Sequence, residues 1–134
     1  MEGERESMGH PSDRKYSNEH EWVVVDGDVA TIGITHFAQD QLGEVVYIDL
    51  PSQDDSILAG ETFGEIESVK SVSELYAPIT GSVVEVNDSL ADTPETINAD
   101  PHAEGWMIKV RMDDPSEYDG LLTAEEYDDF VTEG

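Results

Sequence analysis

Short runs of alternating apolar and polar residues, separated by turn residues, are the feature that most restricts the fold of this chain. A period of two places successive side chains on opposite faces of a β-strand, whereas a helix needs a period near 3.6. Residues 20–25 and 28–34 are two such runs, and Asp26-Gly27 between them is a strong hairpin signal. Residues 45–50 form a third run. The pattern predicts a mainly β protein, an antiparallel sandwich or flattened barrel with a few short helices.

The clearest hairpin lies in the middle of the chain and carries a lysine at its turn. Its predicted arms are residues 61–68 and 72–77, and Lys70 lies between them. Gly60 and Gly81 stand ten residues before and eleven residues after this lysine. Arms of matched length place Lys70 at the tip, where solvent and other proteins reach it.

Helices are predicted at two main places. Thr35 can cap a short helix that runs to about Leu42 and ends at Gly43. Near the end of the chain, Thr123 and Glu126 have the spacing of a capping box, and apolar residues then recur on one face. This pattern predicts a C-terminal helix that packs on the sheets.

Length and composition set the limits of the domain. Residues 1–14 lack periodicity and are predicted to be a flexible acidic tail, whereas residues 15–134 are predicted to form one domain. The absence of cysteine excludes disulfides, thiolate metal sites and a cysteine nucleophile, so that redox chemistry requires an added group. No apolar run approaches the length of a membrane span, and the acidic start is unlike a secretory signal. These features predict a cytoplasmic protein.

The charge of the chain is extreme. Thirty-two acidic residues against six basic ones give a formal net charge of −26, which disfavours nucleic acid as a partner. Acids spread along the chain repel one another in dilute buffer, whereas molar salt reduces the screening length to about 3 Å. We therefore expect a protein from a salt-rich, halophilic cytoplasm. The alternative is an acidic docking face for one basic partner.

No self-contained catalytic centre is visible in the sequence. The carboxylates are too many for any pair to indicate acid–base catalysis. The chain has no phosphate-binding Gly-Lys-Ser/Thr loop and no Gly-x-Ser-x-Gly elbow. The four histidines lack the spacing of a metal site: His10, His20, His36 and His102. The sequence predicts a non-catalytic protein without a bound metal.

Lys70 is one of only three lysines in the chain. From its turn position alone, it is either an ordinary solvated lysine or an attachment point for a modifying enzyme. Its flanking residues, ESVKSVSELYAPITG at 67–81, resemble the lipoyl-lysine site of the glycine cleavage system H protein family.

Further segments resemble the same family in the same order, so that the resemblance covers roughly residues 15–131. They are YSNEHEW at 16–22, ATIGITHFAQDQLGEVVYIDL at 30–50, GSVVEVN at 81–87 and GWMIKV at 105–110. Related carriers differ around the modified lysine. Biotin carriers place methionine on both sides of it, where this chain has Val69 and Ser71, and acyltransferase lipoyl domains usually place aspartate before it.

The resemblance implies a lipoyl carrier with a barrel-sandwich hybrid fold, like that of lipoyl domains, and (R)-lipoate in amide linkage on Lys70. It also implies four partners. A PLP-dependent glycine decarboxylase (P protein) loads an aminomethyl group, and an aminomethyltransferase (T protein) passes the one-carbon unit to a folate or related pterin. Dihydrolipoyl dehydrogenase (L protein) reoxidises the dithiol, and a lipoate-attachment enzyme modifies the lysine. The expected state is a monomer.

The resemblance assigns roles to individual residues as well. Glu67 and Gly81 match positions that attachment enzymes read. Glu19, Glu21 and Gln41 match segments that line a cleft for the loaded arm, where a carboxylate would hold the cationic amine. Many family members have a histidine where this chain has Gln41, and a glutamine cannot become charged.

Two alternatives remain open from the sequence. One is a lipoyl carrier or relay for another lipoate-dependent pathway, which the genes beside this one would distinguish. The other is a cofactor-free acidic interaction domain in which Lys70 has no role, which the mass of the native protein would distinguish.

Overall fold

The structure is a computed structural model that describes residues 11–133, apart from the side chain of Glu133. Nine strands and five short helices follow one another along the chain in these residues. The strands are β1 (Lys15–Tyr16), β2 (Glu21–Asp26), β3 (Val29–Ile34), β4 (Val45–Asp49), β5 (Ser56–Ile57), β6 (Thr62–Ser68), β7 (Val72–Tyr76), β8 (Gly81–Val86) and β9 (Ile108–Met112). The helices are α1 (His36–Leu42), α2 (Ser89–Asp92), α3 (Thr96–Ala99), α4 (Ser116–Asp119) and α5 (Ala124–Glu133).

The strands form two antiparallel sheets. The larger has six strands in the order β1-β2-β3-β9-β8-β5, and the smaller has three in the order β4-β6-β7. The prediction of a mainly β protein with a C-terminal helix is confirmed. Of the two predicted architectures the sandwich holds, because no closed barrel is seen: within residues 11–133, no strand of one sheet pairs with a strand of the other.

The core contains the inward-facing residues of both sheets. Ile48 and Ile66 lie opposite each other on the smaller sheet, and Ile32, Val83 and Val110 belong to the larger one; all are buried. Burial of such side chains contributes about 1.5–3 kcal/mol each. A second, smaller cluster joins the C-terminal helix to the start of the larger sheet.

The first hairpin is confirmed, but its turn lies one residue later than predicted. Asp26 pairs with Val29, so the turn residues are Gly27-Asp28 and not Asp26-Gly27. Gly27 has a φ of 68°. A two-residue hairpin turn needs a positive φ at this position, which glycine adopts without steric cost.

Both predicted helix caps are confirmed. The Thr35 hydroxyl accepts a hydrogen bond from the Ala38 N–H at 3.1 Å, and α1 ends at Gly43, whose φ is 80°. Before α5, the Thr123 N–H donates to Glu126 Oε1 at 2.9 Å, and the Glu126 N–H donates to the Thr123 hydroxyl at 3.1 Å. These bonds satisfy backbone groups that a helix end otherwise leaves unpaired.

Residues 1–10 of the predicted tail lie outside the described residues, and the boundary at residue 14 stays a prediction. The last part of that segment contacts the domain. Arg14 donates to the His102 carbonyl at 2.8 Å, and its guanidinium lies 4.7 Å from the Trp22 ring centre. No helix within residues 11–133 is long and apolar enough to cross a bilayer.

Candidate attachment site and cleft

Lys70 lies at the tip of the β6–β7 hairpin, as predicted. After a register shift between Thr62 and Gly64, the two strands stay in register from the pair Gly64 and Leu75 up to the pair Glu67 and Val72. The Ser68 N–H then donates to the Ser71 carbonyl at 2.8 Å. The Ser68 hydroxyl accepts from the backbone N–H groups of Lys70 and Ser71, both at 3.1 Å. Ser68 therefore fixes the turn that presents the lysine.

The tip is tied to the end of helix α1. The Val69 N–H donates to the Glu44 carbonyl at 3.0 Å. The Lys70 side chain lies over Gly43, since its Cε is 3.1 Å from the point that a Cβ on this glycine would occupy. Any larger residue at position 43 would crowd the lysine.

The Lys70 amine differs from the other cations of residues 11–133, because it is the only one without an ion pair, a hydrogen bond or an aromatic ring as a partner. Lys70 itself is exposed. The other four each contact a ring or a carboxylate: Arg14 with Trp22 and Asp13, Lys15 with Tyr118, Lys109 with Trp106, and Arg111 with Asp28. Such contacts hold cationic side chains in place. Lys70 is thus the one cation of residues 11–133 that no such contact holds in place.

A cavity of about 310 Å³ lies between helix α1 and the open edge of strand β7. The structure brings together here the three residues that the resemblance assigned to a cleft, Glu19, Glu21 and Gln41. Leu42 also lines the cavity and is followed in sequence by Gly43, over which the Lys70 side chain lies, although Gly43 and Lys70 do not line the cavity themselves. The remaining lining residues are mainly apolar: His20, Ile34, Phe37, Ala38, Ser73, Glu74 and Leu75.

Glu21 is the buried ionisable residue of this cavity, with 1% of its surface exposed. The Ser17 hydroxyl donates to Glu21 Oε1 at 2.5 Å, and the Tyr76 N–H donates to Oε2 at 3.2 Å. This N–H points away from β6 at the sheet edge, so Glu21 gives it the partner that a neighbouring strand would otherwise provide. Burial raises the pKa of Glu21 to about 8. The carboxyl therefore keeps its proton at neutral pH until a cation approaches it.

The other two predicted cleft residues lie at the rim. Glu19 and Gln41 are both exposed, in contrast to Glu21. Gln39, two residues before Gln41, is buried and has a structural role, since Asn98 Nδ2 donates to its Oε1 at 3.0 Å. An ammonium group in the cavity would therefore meet Glu21 in the interior and the other two groups near solvent.

The C-terminal helix holds two walls of the cavity together. The Tyr127 hydroxyl is 2.7 Å from His20 Nδ1 and 2.8 Å from the Thr35 hydroxyl, which caps α1. His20 has a φ of 73°, an unusual value for a residue other than glycine. The bond to Tyr127 thus fixes the backbone between the carboxylates at 19 and 21.

The two predicted recognition residues lie apart in the fold. Glu67 is exposed and sits at the last pair of the hairpin before the tip. Gly81 belongs to the larger sheet, where it pairs with Ile57 and Met112. A Cβ at Gly81 would overlap the backbone carbonyl of Arg111. Packing alone therefore requires glycine at position 81, and a role in enzyme recognition stays a prediction.

The sequence analysis missed several residues of the cleft. Ser17 and Tyr76 orient the Glu21 carboxyl, while Phe37 and Glu74 line the cavity. Ser17 could have been found from its spacing, four residues before Glu21 on a bend that brings the two together. The others belong to α1 and β7, and only the tertiary fold places them beside Glu21.

Comparisons with known proteins agree with this geometry. A family model described as "Glycine cleavage H-protein" matches residues 14–134. The glycine cleavage system H protein of Staphylococcus carnosus (strain TM300) is 52% identical over 126 residues, which cover 94% of this chain and 100% of the relative. The protein of the same name from Staphylococcus epidermidis is 51% identical over 126 residues, with the same coverage.

A solved structure is similar as well. The crystal structure of a glycine cleavage system H protein from Mycobacterium marinum matches with a TM-score of 0.85 and 40% sequence identity. The match covers 92% of this chain and 99% of that one.

Proposed function

This chain belongs to the glycine cleavage H-protein family, the non-catalytic lipoyl carriers of the glycine cleavage system, and we propose that Lys70 is the residue that carries the lipoyl group. One observation carries the proposal. Lys70 is exposed at a hydrogen-bonded hairpin tip, its amine has no partner among residues 11–133, and its side chain lies over Gly43, the residue that follows Leu42 of the cavity wall.

The cavity fits an apolar arm that ends in a cationic amine. Ile34, Phe37, Leu42 and Leu75 provide an apolar wall, and Glu21 provides a buried carboxyl within it. A lipoyl group on Lys70 would supply the dithiol and disulfide chemistry that this cysteine-free chain lacks. Lys70 thus provides the attachment point for such an arm, and Glu21 provides a carboxyl for its cationic end.

The chain's own residues bind and position the cargo. Amide formation at Lys70 removes its positive charge, so that the modified side chain is compatible with the apolar wall of the cleft. Ser17 and the Tyr76 N–H orient the two oxygens of Glu21. A cationic aminomethyl cargo beside Glu21 would lower the pKa of this carboxyl and form a charge-assisted hydrogen bond with it. Glu19 and Gln41 would close the cleft at its rim.

We propose that the chain has the four partners that the family resemblance implies. A PLP-dependent glycine decarboxylase loads the aminomethyl cargo, an aminomethyltransferase removes it to a pterin, and dihydrolipoyl dehydrogenase restores the oxidised carrier. A lipoate-attachment enzyme modifies Lys70 beforehand. Tethering at Lys70 raises the local concentration of the cargo at each partner. Cytoplasmic location and a monomeric state stay predictions.

The intact mass of protein isolated from its native host tests this function. We expect a single mass increment that corresponds to one lipoyl amide, because Lys70 is the one lysine whose amine does not lie over an aromatic ring. An unmodified mass, in cells that break down glycine through this protein, would favour the cofactor-free alternative instead.

We also propose that the chain is adapted to concentrated salt. Glu21 and Asp128 are the only buried carboxylates among the described side chains. The described salt bridges are two, Arg14 with Asp13 and Arg111 with Asp28, so that most exposed carboxylates repel one another without a neutralising partner. Acids are exposed on most strands and helices, which favours general adaptation over one acidic docking face.

The melting temperature is therefore expected to rise between low salt and molar KCl. We predict an increase of at least about 5 °C, equivalent to roughly 1 kcal/mol or more for a domain of this size. Screening of repulsion is the physical reason, so NaCl at equal ionic strength should act alike. A melting temperature that stays constant or falls would refute the salt adaptation and leave the carrier function unaffected.

A further inference from the structure

Four large apolar side chains are exposed around Lys70. Val46 and Tyr47 belong to the β4 strand, and their exposed fractions are 47% and 56%. Val69 and Val72 lie on either side of the lysine in sequence, and their exposed fractions are 64% and 58%. We refer to Val46, Tyr47, Val69 and Val72 as the tip patch.

Strand register places the tip patch on the outer face of the smaller sheet. Glu67 pairs with Tyr47 on one side and with Val72 on the other, and directly opposed residues share a face of the sheet. The register shifts between Val45 and Tyr47, so Val46 is an extra residue at this point and is also exposed. The tip patch is thus one surface that continues from the turn across the sheet.

Large apolar side chains are unfavourable in water when they are exposed, so a group of them on one surface suggests a binding role. Of the described side chains, only two other large apolar ones are exposed, Leu58 and Phe130. The grouping of four such side chains beside the exposed Lys70 indicates a surface that another molecule covers.

Carboxylates border the tip patch. Glu44 precedes β4, and its backbone carbonyl is bonded to the turn. The next outward row of the sheet is Asp49, Glu65 and Glu74, which are paired side by side and all exposed. The exposed Glu67 lies between Tyr47 and Val72 on the same face. A partner for this surface therefore needs apolar groups for the tip patch, and basic residues both opposite Glu67 and at the edge.

We propose that the tip patch is the docking surface for the enzyme that acylates Lys70, and that this enzyme covers it with an apolar face bordered by basic residues. The inference rests on the proposed attachment at Lys70. The enzyme brings an activated lipoyl donor, an acyl adenylate or a thioester, to the amine. The Lys70 nitrogen forms a bond to the acyl carbon, the bond to the leaving group breaks, and the nitrogen releases a proton to solvent.

The choice among partners follows from where each reaction takes place. The acylating enzyme must reach Lys70 Nζ itself, which lies back over Gly43, and so it must approach the side chains beside the lysine. Enzymes that act on the far end of an attached arm do chemistry many bonds away from this surface. The tip patch therefore matters most for acylation.

The test measures acylation of the unmodified chain by its lipoate-attachment enzyme, with the Lys70 peptide followed by mass spectrometry. The double variant Tyr47→Thr/Val72→Thr removes apolar surface but keeps residues that favour strands. We expect kcat/KM for its acylation to fall about tenfold or more, as for loss of central interface contacts. The variant should also compete poorly with the wild-type chain as an inhibitor. The Tyr47→Phe variant should retain the wild-type rate.

The matched control is Leu58→Thr. Leu58 is exposed to a similar degree, 53%, but lies beside the base of the hairpin, where the Gly60 N–H donates to the Ala77 carbonyl. Its acylation rate should be unchanged, and circular dichroism and melting temperature should show that all variants are folded. Acylation of the folded double variant at the wild-type rate, or an equal loss in Leu58→Thr, would overturn the docking surface. Absence of acylation at Lys70 in the wild-type chain would overturn the proposed function itself.

Discussion

Replacing Lys70 with arginine is expected to abolish carrier activity and leave the fold intact. Arginine keeps the positive charge and most of the side-chain length. A guanidinium stays protonated at neutral pH, however, and does not accept the acyl group. Because Lys70 is exposed and makes no ion pair within residues 11–133, the melting temperature should stay within about 2 °C, as for a change near 0.5 kcal/mol. The measurement is glycine-dependent release of carbon dioxide in a mixture with the partner enzymes.

The matched controls are Lys15→Arg and Lys109→Arg. These lysines lie over the rings of Tyr118 and Trp106, and arginine can make the same contact. Both variants should support glycine cleavage at the wild-type rate. Glycine cleavage by the Lys70→Arg variant would refute the assignment of the attachment residue.

Replacing Glu21 with alanine is expected to speed the loss of methylamine from the loaded carrier. A hydrogen bond to a charged group contributes about 1.5–3 kcal/mol, which corresponds to about tenfold or more in the release rate. Glu21→Gln keeps the shape and should also release faster, because it cannot become anionic. The rate is measured as methylamine appearance after removal of the free enzymes.

Glu65→Gln serves as the control for charge, since Glu65 is exposed on the outer face of the hairpin and does not line the cavity. Its release rate should match that of the wild-type protein. If Glu21→Ala also matches it, the cleft has no part in protecting the cargo.

The pH dependence of stability tests the burial of Glu21 without any cargo. Its pKa is raised from 4.5 to about 8, so between these values the folded state holds a proton that the unfolded state has lost. This carboxyl therefore makes the free energy of unfolding fall as pH rises, by at most about 1.4 kcal/mol per pH unit. The Glu21→Gln variant lacks this pH-dependent contribution to the free energy of unfolding. Its stability relative to wild type should rise from pH 5 to pH 8 and then level off.

Local signals predicted much of the fold. The caps of α1 and α5 depend on hydrogen bonds between residues three apart, so Thr35 and Thr123 could be recognised in the sequence. The central hairpin was predictable because its arms alternate and because Gly60 and Gly81 lie at similar distances on either side of Lys70. The shift of the first turn to Gly27-Asp28 was not, since the register depends on pairing along both strands.

Other elements have no signal that sequence patterns can reveal. Strand β5 has two residues and helices α2 and α3 have four each, too few for a period to be seen in the sequence. In the sequence, Trp106, Ile108, Val110 and Met112 alternate with Met107, Lys109 and Arg111, and this pattern predicts a half-buried strand with Met107 on its outer face. Met107 is instead fully buried, and strand β9 begins only at the next residue, Ile108.

The site, like the fold, could be predicted from the sequence only in part. The position of Lys70 followed from its hairpin. The family resemblance assigned Glu19, Glu21 and Gln41 to one cleft, and these residues line one cavity in the structure. The burial of Glu21 could not be predicted, because it depends on the edge of β7 and on helix α1, which are remote in sequence. Charge alone suggested that Glu21 was one more solvated acid among many.

Peptide mapping of the protein from its native host tests the central claim most directly. The account predicts that the peptide containing Lys70 carries one lipoyl group in amide linkage and that the peptides containing Lys15 and Lys109 are unmodified. A bare Lys70 in cells that cleave glycine through this protein, or a lipoyl group on either of the other lysines, would contradict it.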